Sequence, residues 1–327
     1  MPGLIAHYIC GRNVAAALPK VIIEAIAPHR ELYSVGCQGP DIFFYYFPGA
    51  IRRGTRGIGT KMHRTNIASF MQAMGQGLKE LSGRAQEAAF AYFAGYLTHY
   101  ALDCATHPYV YYKTGVAGND GRKHRLKYLA NHLRFETAID TLLFKAIDNK
   151  KPKDVKLWRL IKVDKRKAYW VAGLLAGSVS KAYGVNMTAG YVMRAMGYMA
   201  FMTRLMQSRR GLRKRALSFG EALLYKSPVA SSLIHQQEIK DGLDYLNEGK
   251  SPWQDPWENG DKRQESFGEL FDGAIIEASQ LITCLWGYVM GDISLENFLD
   301  RVGDRSLVSG RPLSDDLVLS VCDIIFD

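Results

Sequence analysis

The stretch AGYLTHYALDCATHPY, residues 94–109, decides the fold, because it carries three polar groups on a segment that otherwise has the composition of a buried helix. His99, Asp103 and His107 recur at every fourth position among alanine, leucine and tyrosine. Four residues advance an α-helix by about 400°, so each of these side chains lies about 40° round and about 6 Å along from the one before. The spacing predicts a helix with two imidazoles and a carboxylate in one row.

Apolar residues follow the period of an α-helix through most of the chain. The segments with this pattern are 66–81, 86–105, 129–145, 168–183, 190–206 and 216–246. A further helix begins with a capping box, in which Ser266 and Glu269 each accept from the other residue's backbone N–H. No alternation of period two is long enough to build a sheet. We therefore predict an all-α fold, and Pro108 predicts that the helix around His99 frays near His107.

Glycine and proline mark the expected loops. These loops are residues 36–49, 114–123 and 251–263. We predict a single all-α domain over residues 1–327, with a half that carries the candidate ligands, about residues 1–145, and a helical C-terminal half, about residues 168–327, packed on it. The lysine-rich segment 145–167 is interpreted either as a subdomain boundary or as a long surface loop.

The composition is that of a globular protein, with 47% hydrophobic and 23% charged residues, and it argues against a disordered chain. No uninterrupted apolar run reaches the ~18 residues that indicate a membrane span. The N-terminal residues lack the pattern of a secretory signal, so we expect a cytoplasmic protein. The five cysteines include no C-x-x-C pair, which argues against a disulfide framework and against a thiolate zinc site.

The net charge of +10 is concentrated in residues 150–167 and 209–215. Such segments are commonly solvated helix ends or loops. The alternative is attraction to a phosphate-rich partner, such as an anionic membrane surface, a nucleic acid or an anionic substrate. Nucleic acid is the less favoured of these partners, because the basic segments lack interleaved aromatic residues and a recognisable binding module.

The carboxylate of Asp103 needs a positive partner, because an unpaired charge in an apolar row is costly. No lysine or arginine occurs in residues 85–112, so a bound metal ion is the simplest countercharge. His132 and Glu136 form a second helical row with the same spacing, which can chelate zinc but also occurs in ordinary surface pairs. His63, in the basic segment KMHRT, is a further candidate. Imidazoles and carboxylates without cysteine suit zinc, with iron or manganese as alternatives.

Several pieces of the sequence resemble, in order, the zinc-dependent phospholipase C family, whose members are all-α relatives of the S1/P1-type nucleases and hold a cluster of three zinc ions. These pieces are MPGLIAHY with His7, GPDIFFYY with Asp41, KMHRT, HYALDCATH and HLRFE. They cover about residues 1–140, and PWENG, ESFGELFDGA and DRSLVSG extend the similarity more faintly over the rest of the chain.

The resemblance implies a role for each candidate residue. The implied roles are one zinc ion on His63, His99 and Asp103; a second on His107, His132 and Glu136; a third on His7, Asp103 and the N-terminal amine; and, for Asp41, general base or orienting group for the metal-bound water. Two or three Zn²⁺ ions are therefore expected. The resemblance assigns nothing to His29, His124 or His235.

The resemblance also implies an activity. It predicts a phospholipase C-like hydrolase that cleaves a phospholipid or a small phosphodiester by metal-activated water, with peripheral contact to an anionic membrane surface. An S1/P1-type nuclease or nucleotidase is the first alternative. A helical binding protein that is stabilised by its metals and has no catalytic activity is the second.

Overall fold

The computed structural model describes residues 3–46, 55–115, 121–208, 211–224, 228–257, 262–314 and 321–326. The protein is 70% helical, and these residues contain no β-strand. The predicted all-α fold is therefore confirmed. Two isolated bridges, Trp253 with Arg263 and Arg305 with Pro312, close loops in the C-terminal part of the chain.

The α-helices range from single turns to one of 32 residues. They are α1 (Leu4–Ala17), α2 (Lys20–Ile26), α3 (Arg30–Gly36), α4 (Ile58–Arg64), α5 (Ile67–Glu80), α6 (Gly83–Thr114), α7 (Gly121–Asp148), α8 (Leu157–Leu160), α9 (Lys165–Tyr183), α10 (Ala189–Met206), α11 (Leu212–Leu224), α12 (Val229–Ser232), α13 (Phe267–Met290) and α14 (Leu295–Val302). Short 3₁₀ segments lie at Ala27–His29, Gly39–Phe43 and Pro152–Asp154.

The longest helix, α6, forms the centre of the core, and almost every side chain from Ala88 to Thr114 is buried. Helices α3 and α13 pack most extensively on it, and α1, α7 and α9 also contact it. A helix that is buried all round needs apolar partners on every side, and the apolar stripes of these neighbours supply them. The polar row of α6 therefore faces other helices rather than solvent.

Helix α13 begins with the predicted capping box, in which Ser266 Oγ accepts from Glu269 N and the Glu269 carboxylate accepts from Ser266 N. Its buried stripe, which includes Leu270, Ala274 and Leu281, faces α6 and α1. Among the described helices, α13 is the one whose length and composition would suffice to cross a membrane, a test that core helices also meet. Its buried stripe packs on α6, and 33% of its most apolar stretch is buried.

Two glycines allow α3 and α6 to approach each other closely. A Cβ atom at Gly36 would lie 2.2 Å from the carbonyl oxygen of Tyr92, and one at Gly95 would lie 2.2 Å from that of Tyr33. No larger residue fits at either position unless the backbone of the facing helix moves. The close approach places the residue that follows α3, Cys37, against the middle of α6.

The expectation that the central helix frays near His107 is wrong, because α6 continues through Pro108 to Thr114. Proline has no N–H, so the carbonyl of Cys104 lacks its usual helical donor. Gly310, at φ 68°, packs its Cα against that carbonyl, and a Cβ there would lie 2.2 Å from the Cys104 oxygen. The C-terminal segment thus packs directly over the turn that contains Pro108.

The helical interpretation of residues 216–246 is wrong for residues 233–246, which contain no helix. Helix α11 ends at Leu224, Pro228 caps the single-turn helix α12, and residues 225–227 lie outside the described residues. The segment 145–167 is a connection interrupted by a 3₁₀ turn and α8.

The three predicted loops contain more structure than glycine and proline indicate. The first holds the 3₁₀ segment Gly39–Phe43, and α7 begins inside the second, at Gly121. The third holds the bridge between Trp253 and Arg263. The parts of these loops that lie outside the described residues are 47–49, 116–120 and 258–261.

Candidate metal centre

The structure brings all the predicted site residues together in the helical core, where each is buried. They come from α1 (His7), the 3₁₀ segment Gly39–Phe43 (Asp41), α4 (His63), α6 (His99, Asp103 and His107) and α7 (His132 and Glu136). The described residues form three sets, and within each set the donor atoms lie within 4.8 Å of one another. The sets are His7, Asp41 and His99; His63, His99 and Asp103; and His107, His132 and Glu136. The second and third sets are those that the resemblance implied, and the first adds Asp41 to His7.

Asp103 is shared by the imidazoles around it. Its Oδ1 lies 3.3 Å from His7 Nε2, and its Oδ2 lies 3.0 Å from His99 Nε2. Oδ2 is also 3.6 Å from His63 Nε2 and 3.8 Å from His107 Nδ1. The two oxygens thus face different imidazoles, which is the arrangement that a carboxylate needs to bridge two cations.

Backbone carbonyls hold the Nδ1 atom of three of these imidazoles. The pairs are His63 with Gly59 at 2.7 Å, His99 with Cys37 at 3.3 Å, and His107 with Leu307. A carbonyl oxygen only accepts, so Nδ1 carries the proton and Nε2 presents its lone pair. The three Nε2 atoms are buried and have no hydrogen-bond partner among the described residues. Histidines that bind metals are oriented in this way.

The buried carboxylates of Asp41 and Asp103 lack a cationic side chain. Oδ1 of Asp41 and both oxygens of Asp103 have no hydrogen-bond donor in the part of the chain that the structure describes. The described groups within ion-pair distance of either carboxylate are all histidines. Buried carboxylates without donors are costly, and a divalent cation would compensate them. The nitrogen and oxygen donors therefore fit zinc.

The electrostatics of the cluster favour the protonation states that metal ligands require. Burial would raise the pKa of Asp103, but the facing imidazoles of His107 and His99 hold that pKa well below its usual range. Burial lowers the pKa of His107 and of His132 well below that of a free histidine. Burial thus favours the neutral imidazoles of His107 and His132, which is the state that metal binding requires.

The match to a known family agrees with this donor set. A sequence model of the family described as zinc dependent phospholipase C matches residues 6–177. The chain belongs to the zinc-dependent phospholipase C family. The matched segment includes every predicted site residue from His7 to Glu136. No curated protein and no solved structure matches the chain.

This member of the phospholipase C family has a cavity of about 570 Å³ beside the donor cluster. Asp41, His63, His107, His132 and Glu136 line one part of it. Much of the remaining lining is apolar: Leu129 and Leu133 from α7, Met199, Met202 and Met206 from α10, and Leu233. The volume lies in the range of sites that bind small molecules. The cavity can therefore accommodate a ligand with one anionic and one apolar part.

The segment DRSLVSG near the C-terminus supports two of the candidate ligands. Besides the contact of Leu307 O with His107, Leu307 N donates to the backbone carbonyl of His63 at 2.9 Å. The hydroxyl of Ser306 donates to the same carbonyl at 3.2 Å. The family match ends at residue 177, so these supporting groups lie outside the matched segment.

Asp140 and His235 also line the cavity, and sequence reasoning assigned neither a role. Asp140 accepts from the backbone N–H groups of Ile5 at 3.0 Å and Ala6 at 2.7 Å, and its Oδ2 lies 2.7 Å from His235 Nε2. It therefore holds the start of α1, which carries His7. The one available signal was that Asp140 follows Glu136 by one helical turn.

The other histidines without a predicted role do not join the three donor sets. His29 lies 3.5 Å from Glu87 and packs edge-on against Trp170. His124 is exposed near the start of α7. The N-terminal amine, implied as a ligand of the third ion, lies outside the described residues.

Proposed function

We propose that this zinc-dependent hydrolase cleaves the phosphodiester bond of a phospholipid or a related small phosphodiester. The observation that carries the proposal is a buried donor cluster beside a cavity whose remaining lining is largely apolar. A phosphodiester is anionic and needs charge compensation, whereas the glycerol and acyl parts of a lipid need apolar contact. One cavity offers both environments.

The two donor sets that contain His63 and His132 support two zinc ions. The imidazole of His7, whose Nε2 lies 3.3 Å from Asp103 Oδ1, supports a third. The proposed ligands are His63, His99 and Asp103; His107, His132 and Glu136; and His7 with Asp103. Bound zinc would neutralise phosphoryl oxygens and lower the pKa of bound water to about 7. The protein's own contribution is to hold the imidazoles and the shared carboxylate in place before substrate binds.

Asp41 is proposed as the group that accepts the proton of the attacking water. Its Oδ1 is buried, borders the cavity and lies 3.2 Å from His63 Nε2. Proton transfer to a positioned carboxylate typically contributes about 10²–10⁴-fold to the rate. Because Asp41 also lies near His7 and His99, its role as a base must be separated from a role as a ligand by measuring metal content.

The cavity walls supply the remaining interactions with substrate. Arg64 and Arg125 line the cavity and can attract the phosphate. Met199, Met202 and Met206 contact the apolar part of a substrate and exclude water from it. These methionines and the leucines of the lining suit the glycerol and acyl parts of a lipid.

We also propose a cytoplasmic location, in which the protein would meet phospholipid at the inner leaflet or as soluble fragments. The net charge of +10 supports attraction to an anionic membrane surface.

A purified-protein assay tests the proposed activity. Element-specific metal analysis should find two or three zinc ions per chain, and the loaded protein should hydrolyse phosphatidylcholine, phosphatidylethanolamine or a soluble chromogenic phosphodiester. Asp41→Asn should lower kcat about 10²–10⁴-fold and keep the zinc content. The matched control, Asp272→Asn, replaces an exposed aspartate of α13 and should be silent.

Three outcomes contradict parts of the proposal. Cleavage of single-stranded DNA or a 3′-nucleotide, with phospholipid untouched, would identify a nuclease. Zinc binding with no hydrolysis of any of these compounds would indicate a binding protein. Loss of zinc from Asp41→Asn would make Asp41 a ligand rather than the base.

A further inference from the structure

The outer faces of α10 and α11 expose large apolar side chains close together in the sequence. They are Phe201, Leu205, Leu212, Phe219 and Leu223, with exposed fractions from 50% for Leu205 to 71% for Phe219 and Leu223. Single exposed apolar residues are ordinary on protein surfaces, but a contiguous group of them marks an interaction site. Arg213 Nη1 donates to the carbonyl of Leu205 at 2.6 Å and so holds the start of α11 against the end of α10.

Phe201 and Leu205 lie on the side of α10 that faces away from the cavity. Met199, Met202 and Met206 line the cavity, and their three- and four-residue spacing places them on one side of the helix. At about 100° per residue, Phe201 and Leu205 lie on the other side. One helix therefore has a cavity face and an outer face, both apolar.

Cations without acidic partners surround this outer face. Arg159, Lys162 and Arg204 lie 5.4, 5.7 and 5.5 Å from the centre of the Trp158 ring. Arg213 and Arg215 on α11 are also exposed. None of these five forms an ion pair with a described acidic residue. Cations elsewhere on the surface do, as Arg134 does with Asp241 and Lys151 with Glu238. Like charges held around one ring repel each other, so an anion bound there is favoured.

We infer that the α10–α11 face, meaning these five apolar residues with Arg204, Arg213 and Arg215, docks on an anionic lipid bilayer. Cations with apolar neighbours are the composition by which helices bind membrane surfaces. The inference rests on the proposed function, which gives the protein a phospholipid substrate. Two copies of the chain meeting through this face would set arginine against arginine, which disfavours self-association.

A vesicle co-sedimentation experiment on the full chain tests the inference. The zinc-loaded protein should bind phosphatidylcholine vesicles that contain phosphatidylglycerol far better than pure phosphatidylcholine vesicles, and high salt should weaken the binding. Arg204→Gln with Arg215→Gln should weaken binding about 30-fold. Phe219→Ser with Leu223→Ser should weaken it about tenfold or more.

Matched substitutions elsewhere supply the controls. Ile276→Ser on α13 removes an equally exposed apolar side chain, and Lys145→Glu on α7 reverses an exposed charge. Both should bind vesicles as the wild type does. Circular dichroism checks that every variant is folded.

Activity distinguishes failure of docking from failure of the proposed function. The docking variants should keep the wild-type rate on a soluble phosphodiester and lose rate on anionic vesicles. Vesicle binding that the substitutions leave unchanged would overturn the inference, as would substitutions that alter only the oligomeric state or only DNA binding. Normal vesicle binding by a wild type that hydrolyses nothing would leave the docking surface in place and refute the proposed function.

Discussion

Replacing Asp103 by asparagine should remove the shared contact on which the candidate metal centre depends. Asparagine has nearly the same shape but no charge, and it offers one oxygen where the carboxylate offers two. In the structure the two oxygens lie within 3.8 Å of nitrogen atoms of four imidazoles, on His7, His63, His99 and His107. The variant should therefore fold, keep its imidazoles in place and bind zinc weakly.

The magnitude follows from the way metal binding stabilises a folded chain. Loss of a group that merely supports a ligand lowers metal affinity about 10–100-fold, so loss of the shared carboxylate should cost at least about 100-fold, or about 2.7 kcal/mol. For 327 residues at about 2.1 cal/mol/K each, the entropy of unfolding is about 0.7 kcal/mol/K. The rise in Tm on adding zinc should thus shrink by about 4 °C or more.

Differential scanning calorimetry with zinc and with a chelator measures the rise in Tm within each variant. A change in the stability of the metal-free protein therefore cancels from the comparison between variants. Metal analysis by mass spectrometry gives the stoichiometry beside it. Asp272→Asn, on the exposed side of α13, should show the wild-type rise. An Asp103→Asn protein with wild-type zinc content and the same rise in Tm would refute the shared-carboxylate geometry.

Three further predictions concern the stability of the metal-free protein. Burial lowers the pKa of His107 and His132, so the unfolded chain binds more protons than the folded chain below about pH 6.5. The free energy of unfolding is therefore full above that pH, and below it should fall by up to about 1.4 kcal/mol per pH unit for each imidazole. A urea-denaturation profile that stays flat from pH 8 to about 5.5 would contradict this. Gly36→Ala should lower the free energy of unfolding by about 1–3 kcal/mol, because its Cβ would lie 2.2 Å from a carbonyl oxygen. The control Gly173→Ala, whose Cβ meets nothing within 4 Å, should be neutral or stabilising. Equal denaturation midpoints for the two variants would count against close helix packing. Asp140→Ala should lower the free energy of unfolding by about 1–2 kcal/mol and release the start of α1. Amide hydrogen exchange at Ile5 and Ala6 should then be faster. Unchanged exchange there would show that Asp140 does not hold the start of α1.

The candidate ligand residues could be located from the sequence because their spacing is local. His99, Asp103 and His107 stand one helical turn apart, so a single helix places them in a row without knowledge of the rest of the fold. His132 and Glu136 follow the same rule. The order of these pieces along the chain carried the resemblance to the family, which the family match confirms.

The groups that orient the ligands could not be predicted, because they are backbone atoms or distant partners. Any residue has a carbonyl, so nothing distinguishes Cys37, Gly59 or Leu307 before the fold is known. His235 meets Asp140 across 95 residues of sequence. Gly310, which covers the carbonyl that Pro108 leaves without a helical donor, likewise lies far from that proline in the sequence.

The dependence of His63 and His107 on the segment around Leu307 has a consequence for biosynthesis. A nascent chain that has left the ribosome only as far as residue 177 already carries all the predicted donors, yet the carbonyl that orients the ring of His107 has not been translated. Tight capture of zinc should therefore wait until translation is nearly finished, and a truncation before Ser306 should yield a helical protein that loses its ions to a mild chelator.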